Sequence, residues 1–296
     1  MTGSLIGRVG LVVGGGADGP AGPRETLPLG NGRAIAISAA RAGALVMVAD
    51  RDAVTAEATA AAIRAEGGAA ASVACDVSVA EDCMRAVAAT VEQFGALHLL
   101  VNNVGIADLG SIRNTAVEDF DRVLAVNVRG QFLTMQAALP ALLDAGDGAI
   151  VNVSSINAIR HHAGIGYETS KAALLGLSRH VAVTTAKRGI RVNTVLPGLI
   201  DSTMRRRYAD LVTGGAVTGG AVTGGAVTGG AVTGGAVTGG AVTGGAVTGD
   251  PAARVPLGRL GSPWEVAAVV VFLLSADASY LSGAEIVVDG GITNRL

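Results

Sequence analysis

Short runs of valine, isoleucine and leucine alternate along the chain with longer alanine-rich stretches whose apolar positions recur at helical spacing. Seven runs read as strands: "VGLVV", "ALVMVAD", "AASVACD", "LHLLVNN", "GAIVNVS", "IRVNTVLP" and "AEIVVD". The stretches between them read as helices over Arg33–Arg41, Asp52–Glu66, Val79–Phe94, Val117–Leu143, Tyr167–Lys187 and Pro263–Ser275. Near-continuous apolar strands are buried on both faces. The pattern predicts an α/β protein with a seven-stranded parallel sheet covered by helices on both sides. Such a doubly wound domain holds its ligand beyond the carboxyl ends of the strands.

Two segments break the alternation, and both fall in connections. Asp18–Leu29, "DGPAGPRETLPL", carries three prolines and two glycines and excludes a regular helix or strand. Val212–Ala246 repeats the unit VTGGA seven times. Its paired glycines disfavour helix, and an odd period cannot keep one apolar face on a strand. A mobile loop is expected, and lengthening a connection in this way costs only on the order of 1 kcal/mol of closure entropy. The chain, residues 1–296, is therefore expected to be one Rossmann-type domain with two loop insertions, at 18–29 and 212–246.

Charge narrows the partners. With 22 basic and 24 acidic side chains, there is no basic surplus for a nucleic acid and no polybasic segment for an anionic membrane surface. Neither partner is expected. The longest apolar run, Val266–Leu274, is too short to span a bilayer. Cys75 and Cys83 are not spaced as CxxC and can build neither a disulfide framework nor a four-ligand zinc site. The first residues lack the pattern of a secretory signal. A cytoplasmic protein without a metal is the expectation.

The first strand ends "LVV" and runs into "GGGA"; after the interruption, "GNGRAIA" opens a helix. This reads as a dinucleotide-binding turn with a gap, carried by Gly14, Gly30 and Gly32, with Asn31 between the last two. Glycine lets the backbone bend sharply and approach a pyrophosphate seated on the positive end of the following helix. An ungapped reading through Gly15–Gly19 meets Pro20 and Pro23, where no helix can follow. The second strand ends in Asp50, whose carboxylate can accept from both hydroxyls of an adenosine ribose and would repel a 2′-phosphate. NAD is favoured over NADP. Arg51 is of the type that binds a 2′-phosphate, and Asp52 is the better-placed helix cap.

The segment "IVNVSSINAIRHHAGIGYETSKAALLGL" sets two serines at a strand end before Tyr167 and Lys171, one helical turn apart on one face. A phenol titrates near 10, so Tyr167 acts as a base near neutrality only if its anion is stabilised. A cation about 4 Å away, at an effective dielectric near 20, is worth roughly 4 kcal/mol before desolvation is subtracted. Lys171 is thus expected to lower the Tyr167 pKa. With "NNVG" at Asn102–Gly105, "NVRG" at Asn127–Gly130, "PGLIDS" at Pro197–Ser202 and the ending "PLGRLGSPWEVA…YLSGAEIVVDGG", the chain resembles the short-chain dehydrogenase/reductase family. The likeness covers nearly everything outside the two interruptions.

That resemblance implies a tetrad of Asn127, Ser155, Tyr167 and Lys171, with Ser154 as the alternative serine. The serine would hold the substrate oxygen, the tyrosine would pass the proton, and the lysine would also bind the nicotinamide ribose. Asn127 would kink the long helix and carry a water toward the lysine. Asp76 and Val77 would flank the adenine, Asn103 and Gly105 would line the adenosine side, and Pro197, Ile200 and Ser202 would adjoin the nicotinamide. Asp76 reads equally as the cap of the helix near Val79. Arg24 could reach the pyrophosphate, and His161 and His162 read as solvated loop residues rather than metal ligands. The implied activity is interconversion of a secondary alcohol and a ketone with NAD, in a homotetramer built through its long helices. An NADPH-dependent 3-oxoacyl thioester reductase and a silent dinucleotide-binding scaffold are the alternatives.

Overall fold

In the computed structural model, residues 4–17, 19, 21–23, 25–161, 163–207 and 250–294 are described. The repeat at Val212–Ala246, Arg24 and His162 lie outside these residues. The strands are β1 (Val9–Val13), β2 (Leu45–Asp50), β3 (Ala70–Ala74), β4 (Leu99–Asn102), β5 (Ala149–Val153), β6 (Arg191–Pro197) and β7 (Glu285–Val288). They form one parallel sheet in the order β3-β2-β1-β4-β5-β6-β7. The chain leaves β1 toward one edge and later returns to β4 on its other side, which opens a crevice beyond the strand ends. Register aligns the residues there: Val13 pairs with Ala49 on β2 and Asn102 on β4. Gly14, Asp50 and Asn103, each one residue further on, therefore share one rim.

The helices are α1 (Asn31–Arg41), α2 (Ala53–Ala65), α3 (Ala80–Phe94), α4 (Val117–Leu124), α5 (Gly130–Ala145), α6 (Ile165–Thr185) and α7 (Pro263–Leu274). Successive strand residues feed opposite cores, as a period of two requires. Val12, Val46, Val48, Leu99 and Val101 pack with α1, α2 and α7; Leu11, Val13, Met47, Leu100 and Ile150 pack with α3 and α5. Local signals start the helices. Asp52 caps α2 by accepting from Val54 N and Thr55 N, and Ser262, Pro263 and Glu265 open α7 with a capping box.

The sequence reading of one helix over Val117–Leu143 is modified. A π-helical turn at Ala125–Arg129 divides it into α4 and α5. Its wider spacing accommodates Asn127, whose side chain is bonded to the strand-end loop rather than pointing to solvent. Among the described residues no helix is long and apolar enough to cross a membrane.

Candidate active site

The glycine turn assembles across its gap. Gly14 has φ 77°, left-handed backbone that glycine tolerates at little cost, and a Cβ on it would lie 2.8 Å from Val104 N. Gly30 is the extended residue before α1, which begins with no side-chain cap. A Cβ on Gly32 would sit 1.8 Å from the Gly14 carbonyl oxygen, so the start of α1 packs directly on the end of β1. Asn103 Nδ2 donates to that same oxygen at 2.9 Å. Beside it, Asp50 accepts from Gly16 N at 3.0 Å and Asp52 N at 3.2 Å. Asn31 Oδ1 is buried with no hydrogen-bond partner among the described residues. An uncapped helix start, a cradle that side chains would fill, an orphaned amide oxygen and a carboxylate on the rim fit a dinucleotide.

A second cluster lies beyond β4 and β5. Lys171 is 3% exposed and its Nζ donates to the Val153 carbonyl at 3.0 Å. The ammonium stands 5.5 Å from the centroid of the Tyr167 ring. Gly105 makes room for it, since a Cβ there would lie 3.1 Å from Lys171 Nζ. The two serines differ. Ser154 Oγ donates to the Lys171 carbonyl at 2.9 Å, whereas Ser155 Oγ accepts from Asn157 N at 3.1 Å and interacts with the Tyr167 phenol. Asn127 is fully engaged: it accepts from Ile106 N at 2.8 Å and donates to the Ile106 carbonyl at 2.7 Å and Ser170 Oγ at 2.9 Å. The side chain ties the π-turn to the loop after β4 and to α6, and makes no direct bond to Lys171.

The remaining predicted residues are spread along the rim. Ile200 and Ser202 are buried just beyond Pro197 at the end of β6. Val77 is buried against the start of α5, where a Cβ on Gly130 would meet its Cγ2 at 2.7 Å. Asp76 does not cap α3, which has Val79 as N-cap and no side-chain cap. Its carboxylate instead accepts from Ser78 N and Ser78 Oγ in a local turn. His161 pairs with Glu168 at 2.9 Å on the surface.

Two buried residues of this region carry no motif. Asp108 is 2% exposed and accepts from Tyr167 N at 2.8 Å and Gly166 N at 3.2 Å. It supplies from 58 residues away the cap that Gly164 lacks, and so fixes the first turn of α6 on which Tyr167 stands. Thr203 is 3% exposed and its N donates to the Leu29 carbonyl at 3.1 Å, at the head of α1.

Electrostatics correct one expectation. The surrounding protein raises the Tyr167 phenol, with the Ser155 hydroxyl offsetting part of the rise. Lys171 is pushed down to about 8 by burial. Desolvation therefore governs both groups in the cofactor-free protein, and the lysine's charge does not bring the phenol below its ordinary value. A stability slope follows. Between about 8 and the ordinary 10.5 the unfolded chain holds a lysine proton that the folded chain releases, so stability rises with pH across that window. Lys171→Met should flatten the rise, read as urea midpoints at about pH 7.5 and 9.5 for both proteins. An undiminished slope in the variant would assign it to other groups.

Comparison with known proteins agrees with this architecture. A family profile described as short chain dehydrogenase matches residues 29–211, and one described as enoyl-(acyl carrier protein) reductase matches residues 225–293. The chain is 34% identical over 298 residues to 2-(S)-hydroxypropyl-CoM dehydrogenase 3 of Xanthobacter autotrophicus, covering 99% of each chain. It is 34% identical over 270 residues to cyclohexanol dehydrogenase of an Acinetobacter species, covering 90% of this chain and 92% of that one. A Burkholderia xenovorans protein solved as a short-chain dehydrogenase/reductase matches with a TM-score of 0.80 at 33% identity, over 99% of both chains. The chain belongs to the short-chain dehydrogenase/reductase family. It is an oxidoreductase acting on CH–OH groups with a nicotinamide cofactor.

Proposed function

We propose that this protein interconverts a secondary alcohol and a ketone with NAD, using Tyr167, Ser155, Lys171 and Asn127. The observation that carries the reading is the division of labour between the serines. With Ser154 committed to the Lys171 carbonyl and Ser155 accepting from Asn157 N, the Ser155 hydroxyl proton can be directed at a substrate oxygen beside the phenol. Tyr167 then takes the alcohol proton in oxidation and returns it in reduction. Lys171, buried and anchored on Val153, provides the positive charge that favours the phenolate as it forms. Asn127 holds the π-turn and α6 together, and Asp108 keeps the Tyr167 backbone in place. The bound nicotinamide supplies the hydride acceptor or donor.

The substrate class rests on the relatives, whose names refer to cyclohexanol and a hydroxypropyl group, both secondary alcohols. NAD rests on Asp50. Its carboxylate stands on the crevice rim, where the ribose of NAD would be bonded and a 2′-phosphate repelled. Gly14, Gly30, Asn31, Gly32, Asp76, Val77, Asn103, Gly105, Pro197, Ile200 and Ser202 complete the proposed cofactor contacts. A cytoplasmic homotetramer belongs to the same reading. Exposed Val117, Phe132 and Val183 on α4, α5 and α6 offer apolar surface for subunit contacts.

Parallel fluorescence titrations with NADH and NADPH test the assignment. NADH should bind at least about tenfold more tightly, and Asp50→Asn should shrink that ratio by weakening NADH and admitting NADPH. Equal or tighter NADPH binding by the unaltered protein would overturn NAD and favour the NADPH-dependent thioester reductase.

A further inference from the structure

The segment that interrupts the glycine turn does not hang free of the domain. Glu25 lies within it, and its carboxylate receives Arg206 Nη1 at 2.8 Å and Nη2 at 2.9 Å, a fork-to-fork pair across 181 residues. Their side chains are only 19% and 15% exposed. Arg206 Nε also donates to Asp201 Oδ1 at 3.1 Å, and Gly22 N donates to Glu25 Oε2 at 2.7 Å. The approach is close: a Cβ on Gly22 would lie 2.7 Å from Arg206 Nη2. The far end of the segment is held as well: the Leu29 carbonyl accepts from Thr203 N, and the Pro28 carbonyl accepts from the buried Arg33 guanidinium. Arg33 in turn is fixed on Thr59 Oγ1 and the Thr55 carbonyl of α2.

These contacts join the two stretches of chain that, on the cofactor reading above, would meet a dinucleotide at different ends. One stretch leads into the uncapped start of α1; the other is Pro197–Ser202 and the helical turn at 203–207 that follows it. We propose that Glu25 and Arg206 form a clasp across the cofactor crevice, and that this pair sets how long the enzyme retains its dinucleotide. The inference rests on the cofactor reading given above. Bidentate charge-assisted bonds are strong and geometrically exacting, and Asp201, which accepts from Arg206 Nε, does not replace the fork that Glu25 receives. Removing either group breaks the link between the two stretches, and where Glu25 is removed Arg206 keeps its bond to Asp201 within its own stretch.

Release of NADH, followed by stopped-flow displacement with excess NAD, tests the proposal. Glu25→Gln and Arg206→Gln should each release NADH about tenfold or more faster than the unaltered protein. Arg206→Lys, which keeps the charge and loses the fork, should release NADH at a rate between those of the unaltered protein and Arg206→Gln. Hydrogen exchange at the Gly22, Glu25 and Thr203 amides gives a readout in the cofactor-free protein, and both single variants should exchange faster there. Unchanged release from variants that still bind NADH tightly would overturn the clasp and leave the cofactor reading standing. Unchanged exchange would overturn it equally. Failure of the unaltered protein to bind either NADH or NADPH would overturn the cofactor reading and the retention role together.

Discussion

Tyr167→Phe should lower kcat by about 10³-fold in both directions, in line with what a positioned acid–base group contributes, while NADH affinity stays within about threefold. Phenylalanine keeps the ring that packs beside Lys171 and deletes only the hydroxyl that Ser155 addresses. The loss should therefore fall on kcat with little change in KM, the signature of an interaction made in the transition state. The cavity is small and the fold should persist. Steady-state assays with cyclohexanol and cyclohexanone, run beside the NADH titration, separate the effects. Less than a tenfold fall in kcat would remove Tyr167 from the chemistry.

Gly32→Ala should abolish measurable dinucleotide binding, with affinity falling about 100-fold or more, and lower the melting temperature by several degrees. The added Cβ would lie 1.8 Å from the Gly14 carbonyl oxygen and 2.6 Å from Asn103 Nδ2. The nearer neighbour is backbone, fixed by the Gly14 N–H bond to the Ala49 carbonyl at 2.8 Å. The start of α1 must therefore retreat from the turn. Overpacking of this kind costs about 1–3 kcal/mol, each worth about 2–4 °C in a domain of this size. Gly176→Ala is the control: that glycine lies within α6, and outside its own helix no described atom comes within 4 Å of its Cβ position. Titration and thermal melts of the two variants decide. Full NADH affinity in Gly32→Ala would show that the pyrophosphate does not use this turn.

Much of the scaffold was legible because its signals are local. The apolar runs predict all seven strands; the five inner ones are apolar at consecutive positions because they are buried on both faces, while the edge strands β3 and β7 are partly exposed. A helix start was legible where the capping side chain is adjacent, as at Asp52. The i, i+4 spacing of Tyr167 and Lys171 alone puts them on one face of α6. The gap in the glycine turn was also readable, because Pro20 and Pro23 exclude the nearer alternative.

Other features depend on partners that sequence distance hides. Asn127 is in a recognisable "NVRG", yet its bonds to Ile106 and the π-turn that permits them exist only once α4, α6 and the loop after β4 meet. Asp108 carries no motif and gains its role from two backbone amides on another element. Spacing alone left Ser154 and Ser155 equivalent; the direction in which each leaves β5 distinguishes them.

By itself the sequence determined the element types and the doubly wound class, because periodicity, caps and i, i+4 spacing act over a few residues. Only the tertiary structure decided that burial raises the Tyr167 phenol and pushes Lys171 down to about 8, since desolvation depends on everything packed around a group. It also decided that Glu25 meets Arg206, 181 residues away, a contact made when the sheet brings the ends of β1 and β6 to the same rim.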